Sequence, residues 1–170
     1  ISVACQTDNK HLVLTMGNSS LNFAQNYYQL PKENFLEIGN YIYDTLKLLK
    51  TFSFKTISIS ANIGKMTKIA QGKKNTNNRY GDVEFTELKN WLVKEEFPHK
   101  ILEKCEHSTT VRAVEEYIAA ESSEKQQDFY SVINNRALHT INKWAQELDL
   151  KSLNIKLLLN DGKNLKKITL

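Results

Sequence analysis

Hydrophobic positions divide the chain into two regimes. In the first half, short apolar runs alternate with helical stretches. Leu12, Val13 and Leu14 predict a buried parallel strand that ends at Gly17-Asn18. Ser19 or Ser20 is placed to cap a following helix that carries Leu21, Phe23, Ala24 and Tyr27, and Leu30-Pro31 stops it. Phe35, Leu36 and Ile38 predict a second strand before Gly39-Asn40, then a helix from about Tyr41 to Lys50 with Ile42, Leu46 and Leu49 inward. The plan then repeats. Ile57 and Ile59 alternate with Ser58 and Ser60 as in a strand, and Gly64 opens a helix with Met66, Ile69 and Ala70 on one face.

The second half reads mostly as helix. Phe85, Leu88, Trp91 and Leu92 mark one amphipathic segment ending near Pro98, with short helices at Ile101–Cys105 and Val111–Ala119 after it. Ser123 with Gln126 resembles a capping box at the start of a long helix whose inner face runs from Phe129 to Leu148. Ile155, Leu157 and Leu159 predict a last parallel or mixed strand. Asn160-Asp161-Gly162-Lys163 then turns, and Leu165, Ile168 and Leu170 return as a hairpin edge. Strand–helix alternation of this kind builds a Rossmann-like three-layer α/β/α fold on a mainly parallel sheet, here with that C-terminal hairpin edge.

In such sheets ligands bind beyond the carboxyl ends of the strands, where the three glycine- or asparagine-bearing turns are expected to gather. Lys65 and Lys68 stand three apart in the first turns of their helix, close enough to act on one ligand, and the helix N-terminus favours negative charge there. The bland alternative is a solvated helix face. No Gly-x-x-x-x-Gly-Lys-Ser/Thr loop is present, so a Walker-type site is disfavoured. Asn75, Thr76, Asn77, Asn78 and Arg79 form a polar run that is either a plain surface turn or a loop over the strand edge. Asp82 is placed to cap the Phe85 helix, or to pair with Arg79 or Lys65. Tyr27, Tyr28, Tyr41 and Tyr43 read as packing rather than as base-stacking platforms.

Composition changes this picture little. The 170 residues are most simply one domain, and a net charge of +4 suits an acidic small ligand without requiring nucleic acid. No apolar run approaches the roughly 20 residues of a membrane span. Cys5 and Cys105, far apart, imply neither zinc nor a disulfide framework, so a reducing cytoplasm is the default. The four histidines have no metal spacing and no neighbouring nucleophile. The chain begins at Ile1, which suggests a piece of something longer.

The residues at these turns resemble a known family. Ile63-Gly64-Lys65, Lys68-Ile69-Ala70, Gly72, Asn75-Thr76 and Asp82 look like the signature of CbiD, the cobalt-precorrin-5B C1-methyltransferase of anaerobic cobalamin synthesis. Leu12 to Asn18 resembles the family's Leu-Val-Leu-Thr-Pro-Gly-Asn, and Asn40-Tyr41-Ile42 with Asp44 resembles its Asn-Phe-Ile-Gly-Asp. The likeness spans Leu12 to about Leu88 and implies the C-terminal portion of such a protein. It further implies methyl transfer from S-adenosylmethionine to ring carbon C1 of an acidic cobalt corrinoid precursor, with neither nucleic acid nor membrane as partner.

On this resemblance Lys65, Lys68, Asn75, Thr76 and Arg79 would serve the substrate. Gly17, Asn18, Asn40, Asp44, Gly64 and Asp82 would shape the methyl-donor site. The chain departs from the family at Met16, Tyr43, Asn77, Asn78, Glu84 and Thr86, and Glu84 reverses a charge beside the expected anion site. A non-catalytic or degenerate α/β module binding an acidic small molecule or a protein partner is the alternative. A nucleotide-binding domain using Gly64 and Lys65 is a third reading.

Overall fold

The computed structural model describes residues 10–150 and 153–160. Strand β1 (His11–Thr15) leads through helix α1 (Asn18–Tyr28) to β2 (Phe35–Glu37), and α2 (Ile42–Leu49) leads on to β3 (Thr56–Asn62). Then come α3 (Ile63–Ala70), α4 (Phe85–Lys94), α5 (His99–Glu106), α6 (Val111–Glu121), the 25-residue α7 (Ser123–Glu147) and β4 (Asn154–Asn160). The four strands form one all-parallel sheet in the order β2-β1-β3-β4. The expected three-layer α/β/α architecture is therefore present. The expected closing hairpin, at Leu165, Ile168 and Leu170, lies outside the described residues.

The faces of the sheet differ. Leu12, Leu14, Ile57 and Ile59 turn to the side where α2, α3 and α7 bury Ile42, Leu46, Met66, Ile69, Ile133 and Ile141 in one large core. Val13 and Leu158 turn to the other side, where α1 supplies Ala24 with Phe23, Tyr27 and Tyr28. Ser58 and Ser60, which alternation alone puts on a polar face, are fully buried beneath α1. Each is satisfied there. Tyr28 Oη lies 2.7 Å and His11 Nε2 2.8 Å from Ser58 Oγ, and the Ser60 hydroxyl donates to the Ser20 carbonyl at 3.1 Å.

Helix ends depart from several expectations. Gly17, not Ser19 or Ser20, precedes the first turn of α1, and Ser20 is buried within the helix. The cap of α7 is Ser122, whose hydroxyl accepts from Lys125 N–H. Gln126 instead donates across to Glu115 of α6 and, one turn on in its own helix, to Tyr130. Glu84, not Asp82, precedes α4. Tyr43 packs edge-on against Trp144, with ring centres 5.6 Å apart, whereas Tyr41 is exposed rather than packed.

Candidate functional site

The path leaves β1 toward β2 and leaves β3 toward β4, so the crossovers diverge between β1 and β3 and open a crevice at their carboxyl ends. Lys65, in the first turn of α3, spans that crevice. Its Nζ donates to the carbonyl of Met16 at 2.9 Å and to that of Gly39 at 3.1 Å. Met16 follows β1 and Gly39 follows β2, while Lys65 belongs to the β3–α3 turn. One ammonium thus ties all three turns to a common rim.

Helix α3 starts where it does because Asn62 caps it: Asn62 Oδ1 accepts from the Lys65 N–H at 2.9 Å. Gly64 is an interior residue of the first turn, not the opener. Burial holds the Lys65 ammonium below its usual pKa; Glu37 pulls the other way, and Lys68 adds to the lowering. Two of its three protons have carbonyl acceptors. Among the described residues the third has none.

Lys68 is not on a solvated face, for it is only 6% exposed. Its Nζ donates to Asn78 Oδ1 at 2.7 Å and, over longer distances, to the Thr76 carbonyl at 3.4 Å and Asp82 Oδ1 at 3.5 Å. The polar run is therefore a loop laid over the strand edge. Side chains also hold it internally, with Asn75 Oδ1 accepting from Asn77 N–H and Asn77 Oδ1 from Arg79 N–H. Lys73 pairs with Glu84 at 3.5 Å, so the reversed charge at Glu84 is matched locally.

Between this loop, the β2–α2 turn and the start of α3 lies a hollow of about 350 Å³. Lys65, Lys68, Thr76, Asn40 and Gly64 line it, as do Asn62, Asn77 and Asn78. Gly17 adjoins it, since a Cβ there would lie 4.0 Å from Lys65 Nζ. Asn75 sits in the same loop without lining the hollow. Arg79, Asn18 and Asp44 are exposed and outside the lining, and Asp82, also exposed, reaches it only through Lys68. Sequence reasoning missed Asn62, although an asparagine after an apolar strand and three residues before Lys65 is an N-cap signal.

A larger hollow of about 550 Å³ lies between the end of α3, α4 and α7, where Arg136 covers the face of Trp91 at 4.8 Å. It is lined by helix surfaces rather than strand ends. Among the described residues no group of three His, Cys, Asp or Glu side chains is placed to hold a metal, and no helix is long and apolar enough to cross a membrane.

Comparison with known proteins agrees with the resemblance. The cobalt-precorrin-5B C(1)-methyltransferase of Sulfurisphaera tokodaii is 29% identical over 134 residues, covering 79% of this chain and 37% of the relative. The protein of the same name from Sulfolobus acidocaldarius is 28% identical over 165 residues, covering 95% and 44%. That of a Geobacillus species is 35% identical over 89 residues, covering 52% and 24%. No family model matches the chain, and no solved structure gives a significant match. The chain spans less than half the length of these curated relatives. It is a partial, divergent match to proteins named cobalt-precorrin-5B C(1)-methyltransferase, the CbiD family.

Proposed function

We propose that this chain is the C-terminal, corrinoid-holding portion of a cytoplasmic methyltransferase that acts on C1 of cobalt-precorrin-5B with S-adenosylmethionine as donor. The observation that carries the reading is Lys65: one half-buried ammonium at the switch point of a parallel sheet, with two carbonyl acceptors and no third among the described residues. A corrinoid precursor bears several acetate and propionate groups. A carboxylate at Lys65, supported by side-chain amides of Asn62, Asn77 and Asn78, would be held by charge-assisted hydrogen bonds.

Bound S-adenosylmethionine supplies an activated methyl group, whose displacement needs alignment and shelter more than an acid–base pair. The rim fits such a donor in two respects. Its backbone is open, since a Cβ at Gly39 would meet nothing within 4 Å and one at Gly17 only Lys65 Nζ. Asn40 lines the hollow, and the exposed Asn18, at the start of α1, and Asp44, in the first turn of α2, lie outside the lining as groups that suit the donor's amino acid end and positive charge.

Calorimetry on the 170-residue chain with cobyrinic acid (a polycarboxylate corrinoid), S-adenosylmethionine and ATP tests this reading. Corrinoid binding that weakens with added salt, and that is reduced but still measurable in Lys65→Met, is the expected outcome. ATP binding without a corrinoid or methyl-donor signal would overturn it.

A further inference from the structure

We infer that Lys68 is a positioning residue: it latches the 75–82 segment over the hollow, and the ligand's negative charge is met by Lys65 alone. The inference rests on the reading of the hollow as an anion site. Two lysines three apart in one helix look interchangeable in the sequence, yet their surroundings are opposite. Lys65 spends its protons on the carbonyls of two other turns and keeps one for a ligand. Lys68 directs its ammonium at three acceptors of a single segment: Thr76 O, Asn78 Oδ1 and Asp82 Oδ1.

Beyond its own turn bonds and the Thr76–Asn40 pair, that segment has little to hold it. From Asn75 to Asp82 only Thr76 is buried, and the exposed Tyr80 contributes no core contact. With almost no apolar burial, the order of this loop depends on hydrogen bonds, and a nearly buried ammonium is the strongest donor within its reach. Thr76 completes the arrangement. It is tied to Asn40 across the hollow, so whatever fixes the loop also fixes two lining residues.

The test compares Lys68→Met, Asn78→Ala, Asp82→Asn and Lys65→Met in the 170-residue chain, by tryptic cleavage after Arg79 and by titration with cobyrinic acid at several salt concentrations. Asn78→Ala keeps every positive charge and removes the shortest latch contact together with one amide of the lining, so cleavage after Arg79 is its deciding readout, and its exposed position makes misfolding no obstacle. A positioning role requires Asn78→Ala and Lys68→Met to raise cleavage after Arg79 and weaken the probe, each by roughly tenfold, the value of one charge-assisted hydrogen bond. The salt dependence of binding would persist in both.

Asp82→Asn, at a longer and more exposed contact, would give a smaller effect in the same direction. Lys65→Met would flatten the salt dependence and leave cleavage unchanged. The inference is overturned if Asn78→Ala leaves cleavage and affinity as in the parent, or if Lys68→Met flattens the salt dependence as Lys65→Met does. A parent chain that binds no probe would sink the anion-site reading, while cleavage after Arg79 would still decide whether the latch exists.

Discussion

Thr76 and Asn40 hold each other twice. The Thr76 N–H donates to the Asn40 carbonyl at 3.1 Å, and the Thr76 hydroxyl donates to Asn40 Oδ1 at the same distance. A loop remote in sequence is thereby stitched to the turn after β2, and the hollow acquires its wall. Replacing Thr76 by valine keeps the shape and removes the side-chain bond. The expected loss is about 1 kcal/mol in urea unfolding, with weaker corrinoid binding. Unchanged values for both would show that the backbone bond suffices.

The lowered pKa of Lys65 has opposite consequences for binding and for stability. Its ordinary value is 10.5, and burial moves it down. The Lys65 contribution to anion affinity should therefore fade at a lower pH than for an exposed lysine, as pH rises through the lowered pKa. For folding, the unfolded chain binds more protons than the folded one between the lowered and the ordinary value. The stability penalty from Lys65 is present in full below that window and is relieved as pH climbs through it. Parallel calorimetry and denaturant unfolding from neutral to alkaline pH, with Lys65→Met as control, check both signs.

Gly17 adopts φ 115° and ψ 163°, a region that residues with a side chain avoid. Space is not the obstacle, because a Cβ would find Lys65 Nζ at an ordinary contact distance of 4.0 Å. Gly17→Ala should thus cost roughly 1–3 kcal/mol through backbone strain alone. A shifted midpoint in urea with an unaltered slope is the expected record; no shift would contradict it.

Cys105 lies in the core, and burial pushes its thiol up to about 11. Near pH 8 it is almost wholly protonated and out of reach, so iodoacetamide should label it slower than an exposed thiol by on the order of a hundredfold. Peptide mass mapping would follow this site specifically, and urea should abolish the protection. Rapid labelling of the folded chain would mean that α5 opens readily.

Much of the sheet was legible because β1, β2 and β3 are short, largely apolar and closed by a glycine or asparagine turn, and those three turns do share a rim. The site was legible only in part. Periodicity kept Lys68 off the apolar face that carries Met66 and Ile69, but could not reveal a polar loop folding back over it. Ser58 and Ser60 look like a wet face for the same reason, since only the return of α1 across the sheet makes them buried. Caps were misplaced by small steps, from Ser122 to Ser123 and from Asn62 to Gly64. A cap depends on the dihedral angles of one residue, which neighbouring polar residues can all offer.

The unequal coats of the sheet have a mechanical consequence. On one side α2, α3 and α7 share a continuous hydrocarbon interior; on the other α1 rests on a small cluster and on serine hydroxyls. Gly17 and Asn18, where α1 meets the rim, therefore hang from the looser coat, whereas Lys65 is anchored in the firmer one. A guest seated between them would be gripped by one fixed jaw and one yielding jaw, and the cleft would widen by rocking α1 while its charged floor stays still.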